Sequence, residues 1–439
     1  MKTTRQVVVT GIGAVSPLGM DVESLWQGLL DGKSGIDTIK SFDPSGFTCK
    51  LAGEVGEFNI RKHVPKSFRK STKLMCRDIE LSVLAANEAF ESSGLVTKAT
   101  DPDNTTVDPT RMAINFGANV ICCDLEEIAP SISKSSVDGK FDVKKWGTDG
   151  LETLTPLWLL KYLPNMLACH VGIIHDIRGP SNSVTCGEAG SHIAIAEAAQ
   201  VIARDDADVA LAGGGESKVN ALMILRQCLN ERATTENNDN PETACRPFDA
   251  DAKGSVFGEG AGMLVLEEKG FAEKRGAKIL AELVGFGESN NINNAFNRLE
   301  PEAKGTQYAI EMALDDAGIA ADQIDLVIPH GTGILDDDAA EATAIRNALG
   351  DAANNAIVLP TKSMLSNTSA AAGALDIIAA IKAMQTSTIP AAKNCENKAA
   401  GCKLNISQRT QQKEIRYGLC ISYTYGGQTA AVVIKNYEL

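Results

Sequence analysis

The sequence predicts an α/β protein built as two pseudo-twofold-related halves, each a mostly parallel β-sheet covered by helices, in a layered αβαβα body. Three observations predict it. β-Branched runs alternate with small-residue helical patterns. Glycines punctuate the ends of those runs. One order of elements occurs twice along the 439 residues, at a period far too long for a solenoid. The chain exceeds one ordinary domain. The repeat divides it into an N-terminal half at 1–270, interrupted by an insertion at about 123–170, and a C-terminal half at 271–439.

In the first half Val7-Val8-Val9-Thr10-Gly11-Ile12-Gly13 reads as a strand. A helical pattern from about Met75 runs to Ala89-Phe90, with Gly94 as its C-cap. Strand Met112–Gly117 follows, then a small-residue helix from about Glu188 to Arg204. Strand 208–212 is closed by Gly213-Gly214-Gly215, and Gly262–Glu267 is the last strand of this half. The order then returns: strand Ile279–Gly287, a helix ending at Ala313–Gly318, strand Ile324–Ile328, a helix from about Ala370 to Met384, and strand Ala430–Ile434 after Tyr425-Gly426-Gly427. Gly213–Gly215 and Gly285-Phe286-Gly287 lack the setting of a phosphate loop and read as turn glycines. The insertion, with Trp146, Trp158 and Pro164, reads as a partly helical cap or interface element. Functional groups are expected at strand ends near the pseudo-axis.

Hydrophobic residues at 44% and charged residues at 22% describe a globular chain that buries a sizeable core. A net charge of −14 argues against a nucleic-acid or anionic-membrane binder. The eleven cysteines are scattered, form no CxxC pair and are odd in number, and no signal-peptide core precedes Val7. Reduced thiols in a cytoplasm are expected. The apolar run Ala374–Met384 is broken by Asp376 and Lys382 and is too short to span a membrane. His63, His170 and His175 have no spacing that suggests a metal. Against the acidic background, Arg61, Lys62, Lys66, Arg69, Lys70, Lys73 and Arg77 form a basic stretch without an intervening carboxylate.

Along nearly the whole chain these segments resemble the β-ketoacyl-(acyl carrier protein) synthase family, the thiolase-fold condensing enzymes of fatty acid and polyketide synthesis. The resemblance rests on Val7–Gly19, on Arg246-Pro247-Phe248-Asp249 followed by Gly258-Glu259-Gly260-Ala261-Gly262, and on His330-Gly331-Thr332 with Asp338 and Glu341. Thr361-Lys362-Ser363-Met364, Ala371-Ala372-Gly373 and Gly426-Gly427 continue the series in order. It implies a thiolase-like fold and a substrate carried on the phosphopantetheine arm of acyl carrier protein, with no bound cofactor and no metal. The basic stretch Arg61, Lys62, Lys66, Arg69, Lys70 and Lys73 would receive the acidic carrier. A large twofold interface is also implied, in a homodimer or in a heterodimer with a Cys-bearing ketosynthase.

In the family a nucleophilic Cys, two His and a Lys make the site. A thiolate needs a lowered pKa and an oxyanion hole, both supplied by a helix N-terminus. The corresponding stretch here is Gly179-Pro180-Ser181-Asn182-Ser183-Val184-Thr185-Cys186-Gly187-Glu188-Ala189-Gly190-Ser191-His192, and it does not fit the family pattern at one spacing. Counting forward from Gly179 puts Glu188 at the nucleophile position, counting back from His192 puts Gly187 there, and matching the letter chooses Cys186. The resemblance keeps His330 and Lys362 in their roles, but the second His falls on Asn367, which can donate a hydrogen bond and cannot relay a proton. On the substrate side Thr332 is kept, Ile334 replaces a hydroxyl, and Tyr423-Thr424-Tyr425 replaces a glycine-bearing flexible stretch. Three readings follow: a degenerate partner resembling a chain-length factor, a malonyl decarboxylase lacking the Cys, and a condensing enzyme using Cys186.

Overall fold

Nine consecutive buried residues, Val7–Val15, form strand β1 at the centre of the molecule. In the computed structural model, which describes residues 5–293 and 297–438, β1 is one of ten strands in a single ribbon. They are β2 (Met112–Gly117), β3 (Ser181–Val184), β4 (Val209–Ser217), β5 (Glu259–Glu268), β6 (Ala281–Asn290), β7 (Leu326–Ile328), β8 (Ile357–Val358), β9 (Tyr417–Tyr423) and β10 (Gln428–Lys435), with β1 itself. The helices that matter for the site are α1 (Arg77–Ser93), α2 (Gly190–Ala203), α3 (Ala221–Leu229), α4 (Lys304–Ala317), α5 (Leu335–Leu349), α6 (Lys362–Leu365) and α7 (Ala372–Thr386).

Strand order is β8-β7-β9-β10-β6-β1-β5-β4-β2-β3. The five strands β1-β5-β4-β2-β3 are answered by β6-β10-β9-β7-β8, with the same sense at each step, and the halves meet where Val7–Val9 pair antiparallel with Ala281–Leu283. α2 and α7 touch each other and strands of both halves, so they form the middle layer. Their small residues are buried almost all round, as a helix without a solvent face requires.

The sequence reading is corrected in two respects. The sheets are mixed: β2 pairs parallel with β3 and β4, and β7 with β8 and β9, while β1–β5, β1–β6, β4–β5, β6–β10 and β9–β10 are antiparallel. A tight turn at Thr424–Gly427 returns β9 directly into β10, whereas a parallel step needs a crossover. Gly213-Gly214-Gly215 do not close a strand; they lie inside β4. A Cβ on Gly213 would stand 2.0 Å from Gly262 O, on Gly214 2.3 Å from Ala370 O, and on Gly215 2.2 Å from Ser82 Oγ. Three elements approach through three absent side chains.

The same explanation covers Gly285 and Gly287, which lie inside β6. Their Cβ positions are 2.2 Å from Ala313 O and 1.9 Å from Ala309 O on α4. Gly11 and Gly13 of β1 face Ala89 O at 2.2 Å and Ala85 O at 2.0 Å on α1. Each half seats its helix on a Gly-x-Gly strand. Gly94 caps α1 at φ 73°, as its sequence position predicts. The insertion holds a helix at Leu125–Lys134, a short hairpin and several single turns. All eleven cysteines are free, and among the described residues no helix is long and apolar enough to cross a membrane.

Candidate active site

β7 delivers His330 to a loop that two buried carboxylates hold in shape. Glu341, on the second turn of α5, accepts the backbone N–H of His330 (2.6 Å) and of Gly331 (2.8 Å). Asp338 accepts those of Thr332 (2.7 Å), Gly333 (3.1 Å) and Phe248 (2.8 Å). The loop needs glycine at Gly331 and Gly333, whose φ values are 53° and 77°. Burial pushes Asp338 up to about 7 and Glu341 up to about 8. The His-Gly-Thr and Asp-x-x-Glu patterns are therefore one clamp. The His330 ring is 1% exposed, neither nitrogen has a hydrogen-bond partner among the described residues, and the ring meets Tyr423 edge-on at 4.6 Å. Burial first, then the charges of Lys362 and Arg232, hold its pKa well below the usual value, so it is neutral.

Lys362 opens α6 and is buried with Nζ 3.3 Å from Asp376 of α7. Thr361 Oγ1 donates to the other oxygen of that carboxylate at 2.6 Å. Asn367 lies past the α6 terminus, where Ser366 adopts φ 64°, and its backbone bridges Val256–Gly258. Its Oδ1 accepts Ser369 N–H at 2.9 Å, while Nδ2 has no partner among the described residues. His192 is structural: Nε2 lies 3.0 Å from Gly373 O and Nδ1 2.7 Å from Ser422 Oγ.

The three nucleophile candidates separate in space. Cys186 N-caps a single turn, Gly187–Ala189, that leads into α2. It is partly exposed, and burial with the nearby charge of Glu288 raises its thiol pKa, the reverse of what a thiolate nucleophile needs. Glu188 is buried beside Glu216 and the Lys218 that Glu216 binds. Gly187 takes φ +52°, and a Cβ there would lie 3.5 Å from Thr424 Cγ2 and 3.3 Å from Asn119 Nδ2. Gly187, which carries no side chain, thus faces Thr424 of the Tyr423–Tyr425 stretch.

Thr332 is buried, and its hydroxyl is already engaged, donating to Asp338 at 3.1 Å and accepting from Ile334 N–H. Tyr423 is fully buried and its hydroxyl has no partner among the described residues; Tyr425 is half-buried. Arg61, Lys62, Lys66, Arg69, Lys70 and Lys73 lie exposed on and between three short turns, and none pairs with a described carboxylate. Arg77 differs: it binds Glu259 at 2.8 Å and lies over the Phe58 ring. Sequence reasoning missed Asp376, Lys218 and a buried ion pair between Arg232 and Asp337 (2.9 Å). The Asp336-Asp337-Asp338 run was the available signal for the last. A cleft of about 1310 Å³ opens elsewhere, between Phe42, Phe58, Arg77 and the acidic start of the insertion helix.

Residues 4–272 match the family described as Beta-ketoacyl synthase, N-terminal domain, and residues 280–396 match Beta-ketoacyl synthase, C-terminal domain. The chain belongs to the β-ketoacyl synthase family. It is 36% identical over 434 residues to a 3-oxoacyl-(acyl-carrier-protein) synthase 2 of Coxiella burnetii, covering 98% of both chains. It is similar in structure to the ishigamide ketosynthase/chain length factor (TM-score 0.84, 28% identity, 99% of both chains). It is also similar to a Beta-ketoacyl synthase from Burkholderia phymatum (TM-score 0.87, 25% identity, 99% and 100%). The thiolase-like layering and the pseudo-twofold ribbon are thus those of a β-ketoacyl synthase scaffold.

Proposed function

We propose that this β-ketoacyl synthase is a catalytically degenerate subunit that pairs with a Cys-bearing ketosynthase, as a chain-length factor does, and shapes the space for an acyl chain delivered on the phosphopantetheine of acyl carrier protein. The observation that carries the reading is the turn before α2. Its position facing Thr424 is Gly187, while the adjacent thiol, Cys186, has a raised pKa and lies beside a carboxylate. Acyl transfer needs a thiolate next to donors for the tetrahedral oxygen. Asn367 removes the proton relay as well. The names of the similar proteins, an acyl-carrier-protein synthase and a ketosynthase/chain length factor, support carrier and partner. The exposed basic stretch suits an acidic carrier.

A second reading, loss of carbon dioxide from a malonyl thioester, draws on the Asn367 Nδ2 donor and the neutral His330. Its chemistry needs only donors at the thioester carbonyl, with a proton taken up at the carbon that carbon dioxide leaves. Glu188, buried near Glu216 and Lys218, is given no role in it. Intact-protein mass spectrometry with acyl-loaded carrier tests the first reading. The isolated chain is expected to take no acyl adduct, and a mixed pair with a ketosynthase to turn over. An adduct lost in Cys186→Ala overturns the degenerate reading in favour of a condensing enzyme; carbon dioxide release by the isolated chain from malonyl-loaded carrier favours the second.

A further inference from the structure

Cys49 and Cys228 are remote in the chain and meet in one apolar cluster with Leu51, Ile224 and Phe257. Cys49 is buried, at 1% exposure, two residues before the short strand Leu51–Gly53. Cys228 lies in the last turn of α3 and is partly exposed. Both backbones are pinned. Asn238, on the loop after α3, brackets Cys49: its Oδ1 accepts Lys50 N–H at 2.9 Å and its Nδ2 donates to Thr48 O at 3.0 Å. The Cys228 carbonyl accepts Glu231 N–H at 3.0 Å, and that of Gln227 accepts Arg232 N–H at 3.0 Å.

The Cys228 sulfur faces the Cys49 thiol, the Thr48 hydroxyl and the Cys49 N–H, which together hold its pKa below the usual thiol value against the effect of burial. The Cys49 thiol is pushed the other way, by Cys228 first and then by burial. A reachable sulfur with thiolate character beside a buried second thiol is the arrangement in which one cysteine attacks and its neighbour resolves.

We propose that Cys49 and Cys228 form a thiol–disulfide exchange site, with Cys228 as the attacking thiol, Cys49 as the resolving one and a small organic disulfide as the oxidant. The Cys228 thiolate attacks one sulfur of the small disulfide, whose S–S bond breaks and whose other sulfur leaves as a thiolate. Cys49 gives its proton to that thiolate and its sulfur displaces the remaining half from Cys228, again as a thiolate, which takes up the proton Cys228 had lost. The two protein thiols are oxidised by two electrons and the small disulfide is reduced to two thiols. The bond ties the end of α3 to the segment that reaches Gly53, whose N–H donates to Phe257 O; Phe257 in turn bridges Asn367. The site is independent of the proposed function, since no acyl group or carrier enters its chemistry.

The test is incubation of the full chain with oxidised glutathione, quenching with an alkylating agent, and mass spectrometry without reduction. Wild type is expected to lose about 2 Da, with the Cys49 and Cys228 peptides joined, and to regain it with dithiothreitol. Cys49→Ser keeps the attacking thiol and should retain one glutathione on Cys228, while Cys228→Ser should leave Cys49 a free thiol. Without oxidant, Cys228 should alkylate at least about threefold faster near neutral pH than the partly exposed Cys186, whose pKa is raised. No linkage, a linkage through other cysteines, or alkylation of Cys228 no faster than Cys186 overturns the inference. So does a Cys49→Ser chain of native circular dichroism that takes no glutathione on Cys228, or glutathione on Cys49 in Cys228→Ser.

Discussion

Replacing Gly287 by alanine tests the helix approach on which both halves are built. The new Cβ would stand 1.9 Å from Ala309 O and 2.8 Å from Ala313 N. An ordinary carbon–oxygen contact is about 3.3 Å, so α4 must lift from β6 by about 1.4 Å. A gap of that size forfeits at least about half of each dispersion contact it opens. The contacts at risk are those of Ala309, Ile310, Ala313 and Leu314, all buried. Overpacking ordinarily costs about 1–3 kcal/mol. Here the obstructing atoms belong to backbone and cannot rotate away, so about 3 kcal/mol is expected. The assay is urea unfolding followed by circular dichroism, with midpoints compared at unchanged slope. Gly46→Ala, where a Cβ meets nothing within 4 Å, is the control and should shift stability by less than about 0.5 kcal/mol. Gly13→Ala, 2.0 Å from Ala85 O, should match Gly287→Ala. If Gly287→Ala costs no more than the control, the close approach is wrong and so is the reading of both Gly-x-Gly strands.

Asp78 ionises near 3.8 when unfolded and at about 7 when folded, raised by burial and then by Glu216. The folded state keeps a proton that the unfolded state has lost. Its contribution is full below the unfolded pKa and gone above the folded one, so wild type should lose stability relative to Asp78→Asn as pH rises from about 4 to about 7 in thermal melts; a relative gain would falsify the assignment. Lys362→Met leaves Asp376 buried and unpaired and should cost about 3–5 kcal/mol, most of it recovered in Lys362→Met/Asp376→Leu. Equal melting points for the single and double variants would contradict that pairing. Arg69→Glu with Lys70→Glu should slow association with acyl carrier protein by about tenfold at low salt, the difference shrinking as salt rises. A salt-independent or absent effect places the carrier elsewhere.

The repeat of elements was legible in the sequence because Gly94, the β-branched runs and the small-residue helices are local signals. Strand direction was not, since nothing in Tyr425-Gly426-Gly427 states that β9 and β10 form a hairpin. Gly213–Gly215 were misread for a related reason: a glycine run looks the same whether it turns the chain or admits a neighbour, and the neighbours here come from Ser82, Gly262 and Ala370. The single-residue mismatch before His192 left Cys186, Gly187 and Glu188 open, and only the fold shows their neighbours: Glu288 for Cys186, Asn119 and Thr424 for Gly187, Glu216 and Lys218 for Glu188. Arg232 carried no local signal, because its partner Asp337 is 105 residues away.

The position of β1 has a consequence for synthesis. Its residues leave the ribosome well before their partners, for among the described residues Val7–Val15 pair only with 261–268 and 281–283. A nascent chain therefore carries an apolar strand with two bare edges until more than 250 further residues have emerged. Pairings this remote in sequence fold slowly, and premature release or truncation before β6 leaves that strand free to join another copy, so aggregation should be the characteristic failure of shortened chains.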